Sequence, residues 1–356
     1  MAQAWYATRE QVKSALDIAE TARNNPQIDR AIGSASRSIE QQLHRRLYPW
    51  DGTRYKGFRP WADGNSSWRL WLGEDELISL TTLTVGGTTI SSSDYFLEPS
   101  SAAQLLRPYE SIEMDLSSNS VFAAGETWQR AVALTGTFGY SEEQEQVGTL
   151  ADNLDANLSD TAVITWTAPQ RVGTGSILKV DSERLIVTNT SFVDTAQNTG
   201  SALAASNADV TLTVSSGTDF YFGEVIRVDS EKMLVVDTAA TTITLKRAWD
   251  GTVLAAHSAA VDIYGSTGIE VERAQLGTSL AAHTTADVVY RWVVPPLVND
   301  LCVAEALTQL QNEESAYARQ GGGTGEGNFE PPGRGLPALR KQVYNAFGRK
   351  ARMRTV

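Results

Sequence analysis

The feature that most constrains this chain is a repeat that recurs at two different offsets. VDSERLIV at 180–187 returns as VDSEKMLV at 228–235, each preceded by a glycine and an apolar pair: Gly175 with Ile177-Leu178, then Gly223 with Val225-Ile226. ITLKRAWDGTVLAAHSAAVDIY at 243–264 returns as IEVERAQLGTSLAAHTTADVVY at 269–290. One module is therefore whole, over about 208–264, while the other has its first half at 161–190 and its second at 269–290. The order implies nesting, one copy lying inside a loop of the other, with two swapped or tandem half-modules as the competing account. Short apolar runs between Gly, Asp-Ser and Thr turns make both copies all-β.

Helical patterns flank this region. Thr8 and Gln11 have capping-box spacing, and Val12, Ala15, Leu16, Ala19 and Ala22 continue one face. Asn25 and Pro26 then open a second helix, in which Ile28, Ile32, Ala35, Ile39, Leu43 and Leu47 form an apolar stripe, and Pro49 stops it. A third helix starts at Pro295-Pro296, with Leu297, Leu301, Ala304, Leu307 and Leu310 on its expected inner face. Between the second helix and the repeats lie Tyr48–Leu72, where aromatic residues alternate with arginines, and a hairpin of Leu77–Val85 and Thr88–Ile90 around Gly86-Gly87. Further strands near 95–97, 112–116 and 128–138 complete a small meander.

The reading is α+β: a helical bundle of two N-terminal helices plus the C-terminal helices, a small antiparallel β meander, and a large all-β insertion of two related, nested modules. The expected divisions are a helical hairpin and meander over 1–140, a linker at 141–160, the inserted repeat domain at 161–292 and a closing helix at 293–320. A Gly/Pro-rich hinge at 321–335 and a basic helix and tail at 336–356 follow. Charge divides along these lines. Residues 1–70 carry 11 basic and 7 acidic side chains, 71–290 carry 10 and 29, and 291–356 carry 9 and 6. The acidic middle reads as a separate body, and any contact with nucleic acid falls to the basic ends.

Little in the sequence carries chemistry. Cys302 is the only cysteine, which excludes an intrachain disulfide and a cysteine-based metal site. No stretch reaches the ~18 apolar residues that span a membrane, and the polar start MAQAWYATRE is unlike a signal peptide, so the expectation is assembly in a cytoplasm without membrane contact. Asp181 with Glu183, and Asp229 with Glu231, share a face in an extended segment, but they lack the dense oxygen ligands of a calcium loop and read as solvated turn residues. His257 and His283 hold equivalent repeat positions, which points to a structural role, and His44 is the only other histidine. The reading is therefore non-enzymatic, with no catalytic, cofactor or metal site.

The capped helix pair with IDRAIGSASRSIEQQLHRRLYPW, the aromatic-arginine stretch, the meander ending in TGTFGY and the closing VPPLVNDLCVAEALTQLQNEESAYARQG together resemble the head-to-tail adaptor proteins of long-tailed bacteriophages. The resemblance covers roughly 5–140 and 293–350. It implies a virion protein that forms a ring, usually twelvefold, beneath the portal protein, extends the channel for genomic DNA and meets a stopper or tail-completion protein. It implies Ile28, Ile32, Ile39, Leu43, Leu297, Leu301 and Leu307 as helical core. Arg45, Arg46, Trp50, Arg54, Tyr55 and Trp61 become subunit-interface candidates, and Arg334, Arg340, Lys341, Arg349, Lys350, Arg352 and Arg354 become portal- or DNA-facing, on a segment whose loss leaves the fold intact. The departure is the acidic insertion, which like-charge repulsion keeps away from a DNA channel. Residues 150–290 are expected to project outward, toward the major capsid protein or as a collar. The alternative is a tail or host-surface protein that binds carbohydrate through the β modules.

Overall fold

The computed structural model describes residues 4–16, 25–59, 67–157, 159–166, 172–314 and 335–349. Among them are seventeen strands and four α-helices, so the expected helical bundle with a small meander is replaced by a mostly antiparallel β protein. Its described residues divide into two compact units, one drawn from 1–39, 145–275 and 279–346, the other from 40–144, 276–278 and 347–356. Helices α1 (Arg9–Leu16) and α2 (Asn25–Leu43) precede all strands.

The second unit is two sheets rather than one meander. Strands β1 (Trp50–Lys56), β3 (Leu77–Val85), β4 (Thr88–Ile90) and β7 (Val132–Phe138) pair in the order β1-β7-β3-β4. Strands β2 (Arg69–Trp71), β5 (Tyr95–Glu98) and β6 (Ser111–Met114) pair as β2-β6-β5. Gly86 and Gly87 close the β3–β4 hairpin with φ of +56° and +85°, the left-handed pair that a two-residue turn needs and that glycine adopts without strain. Alternation in β3 and β7 sends Leu77, Leu83, Leu134 and Phe138 inward to meet Phe58 and Ile112.

The first unit carries the repeats, and they form two barrels of one topology. Their strands are β8 (Gln144–Leu150), β9 (Ser159–Trp166), β10 (Ile177–Val180), β11 (Glu183–Asn198) and β12 (Thr211–Thr213). They continue as β13 (Val225–Val228), β14 (Glu231–Thr238), β15 (Thr242–Trp249), β16 (Asp262–Glu272) and β17 (Val288–Trp292). The first barrel runs β8, β9, the C-terminal half of β16, the N-terminal half of β11, β10 and β17, which returns to β8. The second runs from the N-terminal half of β16 through β13, β14 and β15 to β12, and Gly200 N–H donates to the Thr213 carbonyl at 2.7 Å to bring β12 back beside the end of β11. Each long strand thus serves both barrels. Register shifts between Val187 and Asn189, Ser191 and Val193, and Asp194 and Gln197 let β11 turn from one to the other. At the crossing a Cβ on Gly268 would fall 2.2 Å from Ser191 Oγ and 2.8 Å from Val193 Cγ2, so any larger residue would force those side chains to shift.

The two cores match position for position: Leu178, Val180, Val187, Ile269 and Val289 in one, Ile226, Val228, Val235, Ile243 and Ile263 in the other. Residues 141–160, read as a linker, contain β8 instead. Its acidic and polar side chains hid a strand whose inward positions are Val147 and Leu150, both buried.

Thr8 and Gln11 cap α1 reciprocally, Thr8 N–H to Gln11 Oε1 at 3.0 Å and Gln11 N–H to Thr8 Oγ1 at 3.2 Å. The helix then bridges both barrels. Glu10 accepts from Thr174 N–H at 2.8 Å, Arg9 donates to Asn189 Oδ1 at 3.1 Å, and Lys13 pairs with Asp250 at 2.5 Å. Ile28, Ile32, Ile39, Leu43 and Leu301 are buried as the stripe requires. Leu297 is exposed and Leu307 half-buried, because α3 (Pro296–Glu314) turns inward through Val298, Leu301, Cys302, Glu305, Ala306 and Leu310, one position off the expected face. Helix α4 (Leu336–Phe347) buries Val343.

Candidate functional site

Each barrel holds a polar network built from the repeated residues. The first turn of the repeat, VDSE, places an aspartate at a left-handed φ (Asp181 at +50°, Asp229 at +53°) and a glutamate two residues on at the start of the next strand. The aspartates are exposed, but Glu183 and Glu231 are fully buried, contrary to the expectation of solvated turn residues. The Arg-Ala of the second repeat supplies the reason. Arg247 donates from Nε and Nη2 to the two oxygens of Glu231 at 2.8 Å each, and Arg273 grips Glu183 in the same way at 2.8 and 2.7 Å. Backbone N–H groups of Ala248 and Ala255 donate to Glu231 at 2.9 and 3.1 Å, and those of Ala274 and Ala281 to Glu183 at 2.8 and 3.0 Å.

The repeated histidine completes each network. His257 sets Nδ1 2.8 Å from Asp229 and Nε2 2.8 Å from Glu231; His283 sets Nδ1 3.1 Å from Asp181 and Nε2 3.0 Å from Glu183. The remaining guanidinium protons go to backbone carbonyls, Ala204, Asp209 and Ala255 for Arg247, Asp155 and Ala281 for Arg273. Burial pushes each glutamate pKa up, and the Arg, His and amide donors outweigh it, so Glu183 lies below the usual range and Glu231 is held at about 2. A carboxylate with five donors around it has no lone pair left for a substrate. These networks tie the β10–β11 and β13–β14 turns to loops about 20 to 100 residues away; their chemistry is that of a staple. Cys302 offers no nucleophile either, since burial pushes its thiol up to about 12.

No family model, curated protein or solved structure matches the chain.

The second unit presents a different kind of site. Arg59 stacks over Trp128 with its guanidinium carbon 3.6 Å from the ring centre, Arg69 lies over Trp68 and Trp71 at 4.5 and 5.4 Å, Arg54 over Trp50 and Phe138 at 4.9 and 5.5 Å, and Arg130 beside Tyr55 at 5.7 Å. Tyr55 is 57% and Trp128 42% exposed, so these stacks reach solvent. Stacking flattens each arginine against a ring and restricts it before any partner arrives.

The expected interface residues take distinct places. Arg54 and Tyr55 belong to these stacks. Arg46 is exposed, and Trp50 is half-buried against the core of its unit. Arg45 pairs with Glu76 at 3.0 Å and lies over Tyr140. Trp61 lies outside the described residues, as do Arg334, Lys350, Arg352 and Arg354. Of the other residues read as portal- or DNA-facing, Lys341 is exposed. Arg340 pairs with the buried Glu305 at 2.7 Å. Arg349 donates to Glu76 at 3.1 Å and, through its backbone N–H, to the Leu43 carbonyl at 3.0 Å. Trp128 and Arg130 escaped the sequence reading because they come from a distant loop, carried to the stretch by a bond from Phe58 N–H to the Trp128 carbonyl at 2.9 Å.

Proposed function

We propose that this chain is a non-enzymatic structural protein of a tailed bacteriophage virion, an adaptor that forms a ring beneath the portal and joins capsid to tail. The carrying observation is the set of solvent-reaching arginine-aromatic stacks on the second unit, a composition that marks protein interfaces and their hot spots. It agrees with the resemblance of the helix pair and the aromatic-arginine stretch to that family. The two strongest polar clusters of the repeats being consumed internally also fits a scaffold rather than an enzyme.

In this reading the acidic barrels stay outside the DNA channel. Asp181, Asp194, Asp229, Asp237, Asp262 and Glu270 are exposed, whereas Lys246 is the one exposed base among described residues 172–290, so a lumen lined by them would repel phosphate. The carbohydrate-binding alternative has less support. Exposed aromatics on the barrels among the described residues are Phe222 and Tyr290, too few for a sugar platform.

Native mass spectrometry of the full chain mixed with the portal protein encoded in the same genome tests the proposal. A complex with one chain per portal subunit is expected. A chain that ignores the portal and binds a host glycan would overturn it.

A further inference from the structure

The barrels are twins, and one difference between them falls at the histidine. Aligning the repeats sets His283 on His257, Asp181 on Asp229 and Asp287 on Val261. Only the first barrel therefore gains a third donor. The carboxylate oxygens of Asp181 and Asp287 and a ring nitrogen of His283 lie within 4.8 Å of one another. Asp287 is anchored by Thr284, whose N–H donates to Oδ2 at 2.7 Å and whose hydroxyl lies 3.3 Å from both oxygens.

The hydrogen-bond inventory says what belongs there. Glu183 acts as an acceptor throughout, taking N–H groups of Arg273, Ala274 and Ala281, so a hydrogen bond from His283 Nε2 to it uses a ring proton. In a neutral ring Nδ1 is then a lone pair facing an oxygen of Asp181 at 3.1 Å, an acceptor against an acceptor. A cation between them would turn that opposition into two ligand contacts. In the second barrel His257 Nδ1 sits closer to its aspartate, 2.8 Å from Asp229, and Val261 brings no further oxygen. In the first barrel the separation is longer and Asp287 adds a second carboxylate to the same cluster.

We propose that Asp181, His283 and Asp287 form a binding site for a divalent first-row transition cation, with Nδ1 of His283 as its nitrogen ligand. Glu183 then acts as the outer carboxylate that fixes the tautomer of a metal-bound histidine. One imidazole nitrogen with two carboxylates suits zinc or its neighbours better than calcium or magnesium, which favour all-oxygen shells. Donors about 2.0–2.2 Å from a common ion lie at most about 4.4 Å apart. Asp181, 66% exposed, has the freedom to close the remaining few tenths of an ångström. The ion would pin the β10–β11 turn to the loop before β17, and water would complete its shell. This site is independent of the head-to-tail reading.

The test is calorimetric titration of the tag-free full chain with zinc chloride, with cobalt(II) absorption as a second readout. Wild type is expected to bind one zinc per chain at micromolar or tighter affinity. D287V, which installs the residue the twin barrel carries, and D181N, at an exposed left-handed position that asparagine tolerates, should each weaken it at least tenfold. D229N, the same change in the second barrel, should leave it unaltered. Wild type that takes up no zinc, or D287V and D181N that bind as tightly as wild type, would overturn the assignment, as would a loss in D229N equal to that in D181N.

Discussion

Glu231 shows what a buried charge does in this protein. Its carboxylate is fully buried against the equally buried Arg247, and Glu231→Gln would leave that guanidinium without a counter-charge. Loss of one partner of such a pair costs about 3–5 kcal/mol, so the variant should melt well below wild type in calorimetry, as should Glu183→Gln. Because the folded pKa of Glu231 is lowered to about 2, its contribution is complete above the ordinary carboxyl range near 4.5 and is lost as pH falls from there towards 2. Glu224 works in the opposite sense. Burial raises it to about 7, so the folded state loses stability as pH rises from about 4.5 to 7. Glu224→Gln should remove that slope and raise the melting temperature at pH 8, where Tyr221 N–H still finds an acceptor oxygen. The VDSE repeat drew attention to the right residues in the sequence but gave the wrong environment for the glutamates. A carboxylate in a turn is normally solvated, and the arginines that reverse this lie 16 and 90 positions away.

At the level of elements, β11 is the least legible part of the chain and the most consequential. Nothing in TNTSFVDTAQN announces a strand that leaves one barrel and enters another, since the three register shifts that bend it depend on the partner strand β16. The helices were easier. The stripe of α2 is visible at 3.6-residue spacing, and Ile32→Asp, at a site with no exposure, should cost more than about 3 kcal/mol and leave little soluble helical protein on circular dichroism. The stripe of α3 was misassigned by one position because Glu305 sits on its inner face, where a charge is unexpected until Arg340 is seen to meet it. That pair changes the expectation for the C-terminal segment. Deleting 336–356 exposes the contacts of Val343, strips Glu305 of its partner and frees the Leu43 carbonyl. The truncated chain should therefore lose about 2–4 kcal/mol in denaturant titration, rather than fold unchanged.

For the molecule as a whole, the division of charge seen in the sequence becomes a division of surfaces. The barrels present carboxylates, and the second unit presents arginines stacked on aromatic rings. The nested order of the repeats is what the sequence revealed best, because identical turns in both copies mark equivalent strands; the dominance of β structure was hidden by strands too short and polar to show a period. If the stacks form the interface, Arg59→Ala with Arg130→Ala should weaken portal binding by at least tenfold in a pull-down titration without lowering the melting temperature by more than a few degrees, as solvent-reaching arginines stacked on aromatic rings are typical binding hot spots and add little to folding. The most direct test of the adaptor role is an electron-microscopic reconstruction of the neck of the particle that encodes this chain. The account predicts a ring of these chains directly beneath the portal, with the acidic barrels outside the DNA lumen. Density for the chain at the tail tip, or barrels lining the channel, would contradict it.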